Sequence, residues 1–408
     1  MKKMVTDTML LPAYAARFAC IGADCEDTCC AGWGITLDKD SFRHYQASFD
    51  PVLRPLFNKH VKRYAHSKSS RDYGHIKLVQ DDCRNCGLLS EKQLCLIQER
   101  LGEGALSDTC AYYPRTVHRL GDLHQMTLTL SCPEAARQAL LMEDAFDFLG
   151  LEQTVSLDHI TPVTPKAGLS LAAMDDVRTL MVQILRSPDI PLNQRLRLIG
   201  SCCERLTALL ERKDPGALSD LLLEMEADLD SGAAMAPLAG LPDLPEVQAQ
   251  IASAFFRAGR ESFQSGHVRQ VLEQAASGLG FQGAEVPGGS DLVKAYGAGL
   301  ARLAPALEAV PWLLEHFLLN EFLREVFPWS QGNPRRHHAA LVIRFATVRL
   351  ILAGRAAACE ATLTPMELAE TVQVACRRYV HDVSFTRSAE KALTQMGWDR
   401  FDRLCALV

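Results

Sequence analysis

Cysteines crowd the first third of this sequence, and this crowding constrains the fold more than any other feature. The chain has 408 residues and 14 cysteines. Nine of the cysteines fall at positions 20, 25, 29, 30, 83, 86, 95, 110 and 132. In a reducing compartment, such a group is more often used to hold a metal than to form disulfides. The N-terminal part is therefore predicted to fold around an inorganic centre, and a disulfide framework is the lesser alternative.

The hydropathy pattern favours a protein that is neither exported nor inserted in a membrane. An apolar run at residues 9–16 resembles a secretory signal, but Asp7, Pro12 and Arg17 flank or interrupt it. The most apolar later segment, residues 339–353, contains two arginines and is too short to span a bilayer. We therefore expect a cytoplasmic protein without a transmembrane segment.

The charge balance argues against nucleic acid as the main partner. The formal net charge is −6 and the sequence pI is about 6.1, so no basic field covers the whole protein. Hydrophobic residues make up 48% of the chain, which is enough to build more than one packed domain at this length. The sequence does not indicate the oligomeric state.

The chain changes character near residue 135, which we predict to be a domain boundary. Residues 1–135 are predicted to form a cysteine-rich metal-binding module with short strands at 34–37 and 125–130. Residues 136–408 are predicted to form a helical domain, with a further boundary near 231–245 or 278–290. Apolar residues in this second part repeat every three or four positions, as in helices with one buried face. The predicted helices span residues 172–185, 192–210, 217–229, 245–263, 291–303, 311–327, 337–354 and 365–382. The predicted fold class is therefore mainly α.

The early cysteines form two groups. The first group, Cys20 to Cys30, is followed at once by the sequence AGWG, whose glycines permit the tight bends that cluster ligation requires. The second group is widely spaced, so only tertiary folding can bring its sulfurs together. Thiolates without histidine at ligand spacing suit either zinc or a [4Fe–4S] cluster, and spacing alone does not decide between them. The later cysteines are predicted to be small buried hydrophobes: Cys202, Cys203, Cys359, Cys376 and Cys405.

Three motifs in this region point to a known family. They are FACIGADCEDTCCAGWGITLD at residues 18–38, ALSDTCAYYPR at 105–115 and LSCPE at 130–134, joined by the spacing of Cys86 and Cys95. This succession resembles the flagellin lysine N-methylases, the FliB family, and more loosely the broader zinc- or iron-chelating cysteine-cluster family. The resemblance covers roughly residues 14–136, with a weaker echo around 320–327.

The resemblance implies transfer of a methyl group from S-adenosylmethionine to lysine ε-amines of flagellin, with a [4Fe–4S] cluster as cofactor. The ligand pool that it implies is Cys20, Cys25, Cys29, Cys30, Cys86, Cys95, Cys110 and Cys132. The resemblance does not require Cys83. This pool exceeds the ligand number of one cubane, so the sequence leaves open which cysteines bind and which have other roles. Zinc is the alternative cofactor.

The mechanism of methyl transfer also stays open at this point. Radical S-adenosylmethionine enzymes usually carry a Cys-x3-Cys-x2-Cys motif, whereas here Cys29 is followed directly by Cys30, and Gly32 stands at the third ligand position. A Rossmann methyltransferase needs a glycine-rich loop after a strand, but the GxGxxG match at residues 278–283 follows a predicted helix. Neither common type of methyltransferase is therefore indicated.

Residues near the cysteines offer candidates for orienting the substrate amine, although packing and capping are the commoner roles of such residues. The candidates are Tyr112, Tyr113, His118 and Glu134. Residues 334–338 are predicted to be a solvated, basic helix start, and Trp312 and Trp329 to be core. Two non-catalytic functions stay open as well: a metal- or redox-sensing module, and a zinc-stapled adaptor that presents helices to a partner.

Overall fold

A computed structural model describes residues 4–67, 69–80, 84–260, 266–283, 285–330, 332–380 and 382–408. Helices account for 58% of the described residues and strands for 13%, which confirms the predicted mainly α fold. Cys83 lies outside the described residues. The domain boundary near residue 135 stays a prediction.

The first part of the chain alternates short strands and helices. In chain order they are β1 (Met4–Pro12), α1 (Ala13–Arg17), β2 (Ile35–Leu37), α2 (Lys39–Gln46), α3 (Leu53–His60), β3 (Val61–Arg63), β4 (Gly74–Ile76), α4 (Leu96–Leu101), α5 (Asp108–Tyr112), β5 (Arg115–Leu120), β6 (Leu123–Leu128), α6 (Pro133–Leu141), β7 (Phe148–Ser156) and β8 (Ile160–Pro162). The predicted strands at 34–37 and 125–130 are confirmed by β2 and β6. The long strands β1 and β7 were not predicted, and the run that resembles a secretory signal is divided equally between β1 and α1.

These strands form two sheets. The larger sheet has the order β7-β1-β6-β5-β8, in which β1 pairs antiparallel with β7 and parallel with β6. The smaller sheet, β2-β4-β3, belongs to the cysteine-rich module. The module has a small separate core, made by Ile35, Leu37, Tyr45, Leu53, Phe57, Val61, Ile76, Cys86, Leu88, Ile97 and Leu106. Cys86 is part of this core, and Cys30, Cys95 and Cys110 pack against it.

The second part is helical. Its helices are α7 (Leu171–Leu185), α8 (Leu192–Arg212), α9 (Leu218–Asp230), α10 (Pro245–Arg260), α11 (Gly266–Gly278), α12 (Gly289–Glu308), α13 (Leu313–Arg324), α14 (Pro334–Ala358), α15 (Pro365–Ala375), α16 (Val383–Met396) and α17 (Phe401–Cys405). All eight predicted helices are present with shifted ends, and residues 261–263 of the fourth lie outside the described ranges. The last predicted helix changes at its end into a π-helix, Cys376–Val380. Helices α11, α16 and α17 were not predicted.

Helix α14 is the centre of the helical part and is buried along nearly all of its length. Neighbouring helices approach it closely, and a Cβ added to Gly278 of α11 would collide with the carbonyl oxygen of Gly354. This close packing explains the first glycine of the GxGxxG match without a nucleotide. Within the described ranges, no helix is both long enough and apolar enough to cross a membrane.

The prediction that the start of α14 is exposed to solvent is wrong for its two histidines. His337 and His338 are each only 2% exposed, because the first turn of α14 packs into the helical core. The His338 ring donates a hydrogen bond to the carbonyl oxygen of Leu196 at 3.1 Å. The core prediction holds for Trp329, which is 3% exposed, while Trp312 is half-buried against the core.

Candidate metal centre and adjoining cavity

Backbone pairing brings the two cysteine groups together. The amide of Cys86 donates a hydrogen bond to the carbonyl oxygen of Cys30 at 2.7 Å. A short antiparallel bridge then pairs Leu89 with Cys95, just before α4. Residues far apart in sequence therefore meet through main-chain contacts, as the spacing of the second group requires.

Three thiols are in direct contact. The side chain of Cys30 forms hydrogen bonds with the thiols of both Cys29 and Cys95. Cys86 and Cys110 lie close enough to interact electrostatically with Cys29 and Cys95. We call these five residues the thiol group.

Two further cysteines adjoin the thiol group from the other side of the first loop. Cys25 and Cys132 interact electrostatically with each other, and both also interact with Cys29. These interactions do not include Cys20, which is exposed. The structure thus brings together all of the candidate ligands except Cys20, while their assignment as ligands stays a prediction. Of the later cysteines, four are buried as predicted, whereas Cys359 is only half-buried.

Hydrogen bonding lowers the pKa of some of these thiols, and burial raises the pKa of others. A hydrogen bond from Cys30 lowers the pKa of Cys95 to about 6 and also lowers the pKa of Cys29. Burial raises the pKa of three other thiols to about 12, those of Cys86, Cys110 and Cys132. Cys29 and Cys95 therefore ionise most readily, and the thiolate is the form that binds a metal.

The donor atoms of the thiol group are of the type that binds a soft metal. Their positions, however, do not form a ready coordination site. The group consists of sulfur donors alone, which suit iron–sulfur clusters and zinc. Yet in the part of the chain that the structure describes, no three Cys, His, Asp or Glu side chains are placed so that they could hold one metal ion. The contacts of Cys30 are hydrogen bonds between thiols, so binding a centre would require these side chains to rearrange.

The C-terminal part holds the first cysteine loop through Arg377. Its guanidinium donates hydrogen bonds to the carbonyl oxygens of Asp27, Thr28 and Ala31 at 3.3, 2.8 and 3.1 Å. Its Nε lies 3.2 Å from the Asp27 carboxylate, which also accepts a hydrogen bond from Gln373 at 2.9 Å. Asp27 is only 1% exposed, so this ion pair is shielded from solvent. We call this set of contacts the loop clamp.

The clamp depends on an irregular turn. Arg377 and Arg378 lie on the π-helix that extends α15, and such wide turns are rare and often occur at functional sites. Arg377 contacts the cysteine loop, while Arg378 forms an ion pair with Asp382 at 3.4 Å. The turn therefore places two neighbouring guanidinium groups where the cysteine loop meets the helical part.

A cavity of about 760 Å³ opens beside the clamped loop. Its wall combines the residues that follow Cys30, the start of β5, the residues that follow β6, the end of α13, the π-helix and the start of α16. The lining side chains include Trp33, Tyr113, Arg115, Ser131, Arg324 and Arg378. This size is within the usual range for small-molecule sites.

Aromatic rings line the side of the cavity nearest the cysteines. The indole N–H of Trp33 donates to the carbonyl oxygen of Cys29 at 2.6 Å, and the Trp33 and Tyr113 rings lie 5.7 Å apart. The Tyr113 hydroxyl forms a 2.9 Å hydrogen bond with Ser131. Burial raises the pKa of Tyr113 well above its ordinary value, so the phenol stays protonated. The cavity thus has a hydroxyl group and exposed ring surface close to the thiol group.

The residues predicted to orient a substrate divide into two pairs. Tyr112 and Tyr113 line the cavity. His118 instead donates to the carbonyl oxygen of Arg324 at 2.9 Å, and the Glu134 carboxylate lies 2.9 Å from Arg137. The commoner packing and capping roles therefore hold for His118 and Glu134. Sequence reasoning missed Trp33 and the arginines of the cavity wall, because no local pattern links them.

These features define a mainly helical protein in which a thiol-rich loop faces a small-molecule cavity. Residues 178–407 match the family model described as the FliB lysine N-methylase C-terminal domain. This match covers more than half of the chain, which therefore belongs to the FliB family. The predicted resemblance is confirmed. The family match covers the helical region, which lies outside the N-terminal motifs that carried the resemblance.

Similar proteins occur in Salmonella. The lysine-N-methylase of Salmonella typhimurium is 39% identical over 138 residues, and that of Salmonella choleraesuis is 38% identical over the same length. Each match spans 34% of this chain and 34% of the relative, so about a third of their length is shared. The flagellar biosynthetic protein FliU of Salmonella muenchen is 38% identical over 138 residues, which are 34% of this chain and 80% of FliU. No solved structure matches the chain.

Proposed function

We propose that this protein transfers the methyl group of S-adenosylmethionine to lysine side chains of flagellin, and that the reaction depends on a [4Fe–4S] cluster. Membership of the FliB family supports lysine methylation, and the names of the Salmonella relatives support a flagellar substrate. The observation that carries the proposal is the position of the cavity. Its wall is shared by the loop after Cys30 and by helices of the family-matched region.

The thiol group would hold the cluster. Cys29, Cys30 and Cys95 are the first candidates because their side chains already touch, and Cys86 and Cys110 are the nearest further donors. When bound, such a cluster supplies either one-electron chemistry or structural support for the site. Zinc bound by the same thiols would provide structural support alone.

The cavity wall can prepare a lysine for methylation. Direct transfer needs a neutral amine aligned with the sulfonium methyl group and a group that accepts the lost proton. Partial burial in the cavity disfavours the ammonium form of an entering lysine. The Tyr113 hydroxyl can orient the amine, and the imidazole of His159, stacked on Tyr112 with ring centroids 3.6 Å apart, can accept the proton.

Two measurements on protein purified without oxygen test the proposal. We expect about four irons and four sulfides per chain, and transfer of labelled methyl from S-adenosylmethionine to purified flagellin. Zinc at about one per chain with no transfer would contradict the proposal and support a zinc-stapled adaptor. A bound cluster with no transfer would support a sensing module instead.

A further inference from the structure

Among the described residues, the arginines that line the cavity are paired with carboxylates except at one position. Arg324 pairs with Glu321 and Glu325 at 2.8 and 2.7 Å. The other two arginines of the helical part, on the π-helix, pair with acidic residues as described above. Each of these three guanidinium groups thus has a carboxylate from the protein itself.

Arg115 is different. It lies at the start of β5 and lines the cavity, and among the described residues it has no ion pair with a carboxylate. Its guanidinium stands over the ring of Phe18, 5.5 Å from the ring centroid. A cation–π contact holds the group in place without neutralising its charge. Arg115 therefore leaves one uncompensated positive charge on the wall, which matches a ligand with one carboxylate.

The aromatic side of the same cavity suits a different part of such a ligand. Trp33 is 36% exposed although its indole N–H is anchored to the cysteine loop. A fixed and partly exposed indole beside Tyr113 provides a surface for a planar base or for a cationic sulfonium. The wall therefore combines a site for one carboxylate with an aromatic site for an adenosyl group.

We propose that this cavity binds the methyl donor, with Arg115 holding the carboxylate of its amino-acid portion and Trp33 contacting its adenosyl portion. The inference rests on the proposed function, because that function supplies the adenosyl amino acid as ligand. An arginine forms a bidentate, charge-assisted hydrogen bond with a carboxylate, so Arg115 selects donors that keep this group. The thiol group then lies on the same side of the cavity as the adenosyl site.

Calorimetric binding to the metal-loaded protein tests the carboxylate contact. The ligands are S-adenosylhomocysteine, which keeps the carboxylate, and 5′-methylthioadenosine, which lacks the amino-acid portion. For Arg115→Gln we expect S-adenosylhomocysteine to bind about tenfold more weakly or worse, because a hydrogen bond to a charged group is lost. Binding of 5′-methylthioadenosine should stay unchanged. Arg115→Lys should restore part of the binding, since it keeps the charge.

Arg119→Gln is the matched control, because Arg119 is an exposed arginine of the same strand that does not line the cavity. It should bind both ligands as the wild type does. For Trp33→Leu with unchanged iron content, we expect both ligands to bind more weakly by the same factor. Equal binding of S-adenosylhomocysteine to wild type and Arg115→Gln would overturn the inference.

Two other outcomes separate the inference from the proposed function. If Arg115→Gln raises the KM for flagellin alone, the carboxylate belongs to the protein substrate and the inference is wrong, while methyl transfer stands. If the wild type transfers methyl groups but Arg115→Gln and Trp33→Leu both bind the donor normally, the donor site lies elsewhere. A wild type that neither binds these ligands nor transfers methyl groups contradicts both proposals.

Discussion

The cysteine-rich module and the helical part are stabilised in different ways. The main core surrounds α14, whose side chains are buried along nearly the whole helix, and it includes residues from Tyr14 to Val408. The part of the module between Ile35 and Leu106 has a separate core made of only a small set of side chains. A core of that size rarely offsets the entropy of ordering the chain, so the module depends on its thiols and on the loop clamp. The first cysteine loop is therefore held in part by residues outside the module's own core.

The largest expected effect comes from the residue at the centre of the thiol group. Under the proposed function, Cys30→Ser should lose most of the bound iron and all measurable methyl transfer, because Cys30 contacts both Cys29 and Cys95. Thermal unfolding of the helical part should change little. Iron counting, the transfer assay and circular dichroism measure these three properties.

Cys203→Ala is the matched control, since Cys203 is a fully buried cysteine of the helical core. It should keep its iron and lose about 1–2 kcal/mol of unfolding free energy through the cavity left in the core. Retention of iron by Cys30→Ser, or its loss from Cys203→Ala, would remove the distinction between the two regions.

The next effect tests the clamp. Arg377→Met keeps much of the side-chain volume but removes the hydrogen bonds to Asp27, Thr28 and Ala31. We expect iron affinity or methyl transfer to fall by about 10- to 100-fold, as is common when groups that support metal ligands are removed. Chelator competition measures the affinity. Arg400→Met, at a side chain that is 75% exposed, should behave as wild type. Equal behaviour of the two variants would show that the module does not need the clamp.

Acid should weaken the helical core first. Burial lowers the pKa of His316 to about 4, of His337 to about 3 and of His338 to about 4. Their stabilising contribution is complete above the unfolded pKa of about 6.5. As pH falls from there toward 4, the unfolded chain takes up protons that the folded chain does not. Each histidine then lowers the free energy of unfolding by at most about 1.4 kcal/mol per pH unit.

Thermal unfolding between pH 8 and 5 measures this effect. His316→Asn should flatten the curve, because it removes one titrating group. The asparagine amide can still donate to the carbonyl oxygen of Ala139, which accepts from His316 at 2.9 Å. In the module, burial also lowers the pKa values of His60 and His75. An unfolding temperature independent of pH would contradict the neutral, buried state of the three core histidines.

The smallest effect is expected at a surface contact of the module. Arg71 lies 2.8 Å from Asp158, but the two side chains are 66% and 51% exposed. Water and salt screen such a pair, so Arg71→Gln should change the unfolding free energy by less than about 1 kcal/mol. A loss of iron in this variant, comparable to that of Arg377→Met, would mean that the clamp is not the main attachment of the module.

Sequence patterns predicted the local structure better than the distant contacts. Apolar spacing predicted the helices from α7 to α15 except α11, and the density of the early cysteines predicted that they gather in the fold. Strands β1 and β7 escaped prediction because their pairing depends on residues far away: Met4 is opposite Ser156. The loop clamp was not predicted for the same reason, since Arg377 and Asp27 are 350 positions apart in the sequence. The paired arginines after Cys376 were a weak signal, since two adjacent charges on a helix usually face solvent.

The π-helix makes the length of this part of the chain critical. In a regular α-helix each residue turns by about 100°, and the wide turn at Cys376–Val380 accommodates one extra residue. Deleting one residue here would restore an ordinary helical turn and change the directions in which Arg377 and Arg378 point. Homologues that tolerate insertions or deletions in neighbouring loops should therefore keep a constant residue count between Pro365 and Asp382.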